Sequence, residues 1–257
     1  MFFADVAGFT TISENLEPSK LSELLNKYLS PMTEIIMKRD GYVDKYEGDL
    51  IMAEWGVPYP MKEHAVQACY SALEQQEKLK EIRPLLREEF GYEINVRMGI
   101  NSGVVTAGNM GSKNRFQYTV MGDAVNLAAR LEPANKDYGT SIIIGETTKS
   151  HLNDDFVVRL LDMIVVKGKT KPINIYELVA LRSNVSDGRM RVLKLYEEAL
   201  RLHWARRWED ALKKLEEALA VDNSDCPCLT LKERILYYTQ NPPSTGWMGE
   251  YVRENKD

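Results

Sequence analysis

The sequence predicts an α+β fold, and three observations carry that prediction. Short β-type apolar runs and long amphipathic helical patterns follow one another in the order β-α-β-β-α-β, the split βαβ, ferredoxin-like arrangement. Hydrophobic residues fill 44% of 257 positions, enough for one packed domain and a smaller appendage. After Arg182 the strand patterns stop and the chain reads as helix.

Residues 1–5 read as a strand. A helix begins at Ser19, with Leu21, Leu24, Leu25, Tyr28, Leu29, Met32, Ile35 and Ile36 at helical spacing. Pro31 inside it predicts a kink, and Gly41 a stop. Residues 41–46 and 49–55 read as a hairpin turning at Glu47-Gly48. A long helix follows from about His64 to Glu89. Residues 93–101 alternate, placing Ile94, Val96, Met98 and Ile100 on one face. Asn101-Ser102-Gly103 then turns into Val104-Val105-Thr106-Ala107. A helix from Gly122-Asp123 to about Lys136, a short strand over 141–144, and a strand pair over 156–166 and 173–179 complete a unit spanning residues 1–182.

Residues 183–188 are polar and read as a linker. Residues 189–241 repeat Glu-Glu-Ala-Leu at 197–200 and 216–219 within two amphipathic segments, a tetratricopeptide-like helix pair. About one such repeat does not stand alone, so it is expected to lean on the α+β core or on a partner. Asn241-Pro242-Pro243 ends the last helix, and 242–257 is a polar tail.

The net charge of −5, with no dense basic stripe, argues against a nucleic-acid surface. No apolar run approaches the ~20 residues that span a bilayer. Cys69, Cys226 and Cys228 have no framework spacing, which leads us to expect a reducing, cytoplasmic compartment. His64, His151 and His203 are scattered, which disfavours a histidine-rich metal site. Met1 opens directly on a strand that carries a key Asp. The expectation is therefore a longer polypeptide, whose upstream region could hold a regulatory domain or a membrane tether.

Asp5 and Asp49 stand in two short apolar settings, each near a glycine, where an isolated charge is costly unless compensated. Two carboxylates at strand ends suit a pair of divalent cations, and paired metals suit phosphoryl chemistry. Other features taken singly read as ordinary. Lys45 and Asp49 flank a turn as a surface ion pair would. Asn126 and Arg130, spaced i and i+4, share a helix face, as in any polar stripe or as in a donor platform for ribose and phosphate. Lys167-Gly168-Lys169 fits an exposed turn or a polyphosphate contact. It is not a P-loop, since Met163 stands where the first glycine is required.

Their joint order says more. Phe3-x-Asp5-x-x-Gly8-Phe9-Thr10, Lys45-x-x-Gly48-Asp49, Tyr118-Thr119-x-x-Gly122-Asp123-x-Val125-Asn126-x-Ala128-x-Arg130 and Val166-Lys167-Gly168-Lys169 together resemble the class III nucleotidyl cyclase catalytic domain. The resemblance covers residues 1 to about 180 and implies the palm-type cyclase fold. It implies that Asp5 and Asp49, helped by the Val6 carbonyl, hold two divalent cations, Mg²⁺ or Mn²⁺. It implies that Arg130 stabilises the charged transition state and Asn126 orients the ribose. Lys167 would contact the terminal phosphates, with Arg115 adding to this. Lys45, a pure donor, would read adenine N1, and Thr119 would accept from the N6 amine, making ATP the substrate and cyclic AMP the product. A threonine at that position places the chain with the class IIIb-like, bicarbonate-responsive subgroup. In the family each site is shared between two catalytic domains, and both residue sets are complete here, so a head-to-tail homodimer is expected. The rivals are a guanylate cyclase, which Lys45 opposes, and a catalytically inactive regulatory or scaffolding module. A diguanylate cyclase lacks support, because no Gly-Gly-(Asp/Glu)-Glu-Phe run is present.

Overall fold

The computed structural model describes residues 1–165 and 172–253. The chain runs β1 (Phe2–Val6), α1 (Phe9–Asn15), α2 (Pro18–Lys38), β2 (Tyr42–Glu47), β3 (Leu50–Glu54) and α3 (His64–Phe90). It continues through β4 (Val96–Ile100), β5 (Thr106–Ser112), β6 (Arg115–Met121), α4 (Asp123–Tyr138), β7 (Ile142–Gly145), α5 (Glu146–Ser150), β8 (Phe156–Val165) and β9 (Ile173–Leu181). Helices α6 (Asp187–Trp204), α7 (Trp208–Val221) and α8 (Cys226–Gln240) follow, and β10 (Tyr251–Val252) is last. Eight strands form one sheet in the order β10-β8-β9-β7-β4-β1-β3-β2, and β5 pairs only with β6. β1 lies antiparallel between β3 and β4, so the segment β4-β1-β3-β2 is the split βαβ order expected from the sequence.

Alternation along β1 decides the layers. Phe2, Ala4 and Val6 pack with Ile51 and Ala53 against Leu24, Tyr28, Met32 and Ile36 of α2 and Ala68, Ala72 and Leu79 of α3. Phe3 faces the other way, with Met52, Val120, Val125 and Ala128, so α4 and β6 cover that side. Asp5 shares the parity of Phe3 and therefore belongs to the α4 side of the sheet. Helix α4 lies so close to β4 that a Cβ on Gly99 would stand 2.3 Å from the Glu132 nitrogen and 2.5 Å from the Ala128 carbonyl oxygen. Gly99→Ala is expected to cost about 1–3 kcal/mol, because backbone cannot yield as a side-chain tip can. A denaturation midpoint equal to wild type would contradict that close approach.

Several local expectations need correction. The first hairpin turns at Gly48-Asp49, not Glu47-Gly48: Glu47 pairs with Leu50, and Gly48 takes φ 67°. Asp49 therefore sits in the turn itself. A short helix not expected from the sequence, α1, precedes α2. The turn expected at 101–107 leads instead into the β5–β6 ribbon. Helix α6 begins inside the expected linker, where the Ser186 hydroxyl accepts from the Arg189 amide at 3.2 Å, an N-cap.

Among the described residues three helices, not a pair, follow the sheet. They enclose their own apolar cluster, including Val192, Tyr196, Leu200, Leu215, Cys228, Leu231 and Ile235, with Leu160 of β8 packed against it. Buried polar contacts fasten them to the sheet. The Arg159 guanidinium, fully buried on β8, donates to both Asp225 oxygens at 2.8 and 3.0 Å and to Glu177 at 2.6 Å, and stacks 4.7 Å from the Tyr196 ring centroid. Tyr138 of α4 donates to Asp162 at 2.8 Å, and Arg234 of α8 pairs with the same carboxylate. The polar tail also docks: Tyr251 and Val252 pair in parallel with β8, and Arg253 reaches Asp137 of α4 at 2.6 Å. Among the described residues no helix is long and apolar enough to cross a membrane.

Candidate active site

The described site residues other than Arg115 gather in three places. The first is the end of β1 and the β2–β3 turn. Here the Val6 amide donates to Asp49 Oδ2 at 3.0 Å, tying the turn to β1 and bringing the Asp49 carboxyl beside Asp5. Burial, then the hydrogen bond and charge of Asp5, push the Asp49 carboxyl up to about 7, while the Val6 amide pulls it the other way. Arg97 of β4 stands 3.9 Å from Asp5 and 3.0 Å from Glu132 of α4. Burial lifts Glu132 to about 7 against the pull of Arg97. Arg97 is thus shared between two acids and leaves the Asp5–Asp49 pair short of positive charge.

That shortage is the test of a metal site. Two adjacent carboxylates, one of them driven toward its protonated form by burial and then by the other, form an oxygen donor set that a hard divalent cation fits. Among the described residues no group of three or more His, Cys, Asp or Glu is arranged for a metal. Two carboxylates alone leave most coordination positions for backbone carbonyl, water and substrate phosphate, as Mg²⁺ prefers.

The second place joins β2 to the ribbon. Thr119 of β6 donates to Asp44 Oδ2 at 2.5 Å, Gln117 donates to the Asp44 carbonyl at 2.8 Å and to Oδ1 at 3.1 Å, and the Lys45 ammonium lies 3.5 Å from Oδ1. Lys45 and Thr119, expected as partners, therefore do meet, through a residue the sequence reading passed over. Asp44 beside Lys45 looks like one more charge on an exposed strand. The missed signal is the β-bulge: Val43 pairs with Ala53 and Lys45 with Met52, leaving Asp44 without a ladder partner.

The third place is one face of α4. Gly122 precedes the helix at φ 153°, and the expected spacing holds: Asn126 is exposed and Arg130, one turn on, is half-buried. Neither side chain makes a hydrogen bond or ion pair with another described residue. Arg115 stands at the far end of β6, opposite Ser112, roughly 13 Å of strand away from Thr119. It joins none of these groups. Lys167 lies outside the described residues. No described contact links the carboxylate pair to the Lys45–Thr119 group.

Comparison with known proteins identifies the family and the fold. Residues 1–180 match the model of the adenylate and guanylate cyclase catalytic domain. The chain is 36% identical over 179 residues to adenylate cyclase 1 of Rhizobium meliloti (strain 1021), covering 70% of this chain and 27% of that protein. It thus spans about a quarter of that curated relative. Among solved structures, the adenylyl cyclase CyaB from P. aeruginosa is 38% identical, with a TM-score of 0.66 over 72% of this chain and 95% of that one. The guanylyl cyclase Cya2 follows at 30% identity and a TM-score of 0.64, over 72% and 94%. The fold accommodates proteins named for either nucleotide, so base choice has to be argued from side chains. On the match over residues 1–180, the chain belongs to the adenylate and guanylate cyclase catalytic domain family.

Proposed function

We propose that this chain is the catalytic part of an adenylate cyclase that converts ATP to 3′,5′-cyclic AMP and pyrophosphate. The observation that carries this reading is that the Lys45 ammonium and the Thr119 hydroxyl meet at Asp44, apart from the Asp5–Asp49 carboxylate pair on the same protomer. Asp5 and Asp49, with the Val6 carbonyl, would hold two cations, Mg²⁺ or Mn²⁺; these would acidify the ribose 3′-hydroxyl and neutralise the triphosphate. Asn126 orients the ribose, so that the 3′ oxygen lies in line with the α-phosphorus. Arg130 sets its guanidinium against the charge that builds as the new bond forms and the bond to pyrophosphate breaks. Lys167 and Arg115 are assigned to the terminal phosphates, and Lys45 and Thr119 to adenine N1 and N6. No covalent intermediate with the chain is required. Incubation with ATP and Mn²⁺ or Mg²⁺ should yield cyclic AMP well above any cyclic GMP made from GTP. Folded protein making neither would support the inactive-scaffold reading, and cyclic GMP in excess would support a guanylate cyclase.

The two residue groups complete each other only across a head-to-tail homodimer. Asp49→Ala and Lys45→Ala proteins, each nearly inactive, are expected to regain part of the activity when mixed, because one of the two sites in a mixed dimer is intact. Mixed dimers without recovery would sink the shared-site reading. Residues 189–241 are proposed as a tetratricopeptide-like extension of a catalytic unit over 1–182, with a cytoplasmic location. Thr119 motivates bicarbonate stimulation as a hypothesis, which a rate unchanged by added bicarbonate at fixed pH would dispose of.

A further inference from the structure

We propose that Asp44 sets nucleotide specificity by fixing the direction of the Thr119 hydroxyl proton, an inference that rests on the base-reading role given to Lys45 and Thr119. A threonine hydroxyl both donates and accepts, so by itself it is a poor discriminator. It can accept from the amine at adenine N6, or turn and donate to guanine O6. In this protein the turn is blocked. The hydroxyl donates to Asp44 Oδ2 at 2.5 Å, leaving only its lone pairs for the base. Asp44 is itself immobilised. Its side chain is 0% exposed, Gln117 holds its other oxygen and its carbonyl, and the Lys45 ammonium stands at 3.5 Å.

The bulge makes this possible. In a regular strand, neighbours point to opposite faces. Because Asp44 is the extra residue between the pairs Val43–Ala53 and Lys45–Met52, Asp44 and Lys45 both reach the ribbon side. A carboxylate that only accepts therefore orients two readers at once: an ammonium that only donates and a hydroxyl made to accept. Adenine matches that pair with its N1 acceptor and N6 donor. Guanine, with a donor at N1 and an acceptor at O6, mismatches both.

Asp44→Asn reverses one element while conserving shape. The amide oxygen stays with the Gln117 donor, the NH₂ turns toward Thr119, and the hydroxyl then accepts from residue 44 and aims its proton at the base. The affinity ratio for 3′-deoxy-ATP over 3′-deoxy-GTP, measured by calorimetry with Mn²⁺ present, should fall about tenfold or more, and kcat/KM for ATP over GTP should fall with it. In a Thr119→Ala background the same substitution should leave the ratio where Thr119→Ala alone puts it. Should Asp44→Asn fail to fold, Gln117→Leu at an exposed position loosens the same carboxylate and should lower the ratio severalfold. Equal weakening of both nucleotides is the result of a purely structural role and overturns the proposal. If Thr119→Ala lowers the ratio but the Asp44 or Gln117 variant does not, the base-reading stands and the part given to Asp44 is wrong. If Thr119→Ala leaves the ratio unchanged, both fall together.

Discussion

Asp49→Asn protein is expected to make cyclic AMP at about a thousandth of the wild-type rate or less, and yet to melt at a higher temperature when divalent cations are withheld. The first half follows from the donor set. Each bound metal is worth several kcal/mol of charge stabilisation, and about 4 kcal/mol corresponds to ~10³ in rate. An amide supplies neither the charge nor a second strong oxygen donor. The second half follows from the same geometry without metal. Asp49 is buried beside Asp5, while the guanidinium of Arg97 is divided between Asp5 and Glu132. Folding the wild-type chain presses two like charges together, and asparagine relieves this while still accepting the Val6 amide. Cyclase assays beside metal-free calorimetry at pH 8 check both halves. Lower stability in the variant would mean that the pair is already compensated within the fold.

Arg159→Leu is expected to destabilise the protein by about 3–5 kcal/mol, lowering the melting temperature by roughly 6–20 °C. The leucine fills part of the space but leaves Asp225, whose side chain is 1% exposed, with Arg189 as its one remaining guanidinium at 2.7 Å, and Glu177, at 13%, with the same Arg189 at only 3.9 Å. Adding Asp225→Asn should recover part of the loss, since a buried charge left with only half of its guanidinium partners then disappears while a cap acceptor for the Cys228 amide remains. The sign with pH is fixed by Asp225. Burial alone would raise it, but Arg159 and then the hydrogen bonds from Cys228 hold it at about 2, below its unfolded value near 4. Its stabilisation is therefore full above about pH 4 and lost as pH falls toward 2. The stability gap between wild type and Arg159→Leu should narrow over that window. A constant gap would show that Asp225 draws its stabilisation from elsewhere.

The strand and helix order of the core was legible because its apolar periods are long and unmixed: Ile94, Val96, Met98 and Ile100 alternate, and α2 repeats Leu24, Tyr28, Met32 and Ile36 every four residues. The ribbon was not, because β5 carries Gly108, Asn109, Gly111 and Ser112, residues that elsewhere make turns, and buries little of its own surface. Asp5 and Asp49 were legible as charges in apolar runs, and Asn126 with Arg130 by helical spacing. Asp44 was hidden by the rule that makes strands readable: alternation sends it away from its neighbour, and only the bulge, a matter of pairing with β3, brings it back.

Tyr138 and Asp137, in the last turn of α4, are gripped by Arg234, through Asp162, and by Arg253. The same helix aims Asn126 and Arg130. The inherited module, read by likeness to other cyclases, stops at residue 180; the mechanical module that steadies this helix runs on to residue 253. A fragment cut at the first boundary would keep every residue expected to touch the nucleotide and lose the clamp on the beam that carries two of them.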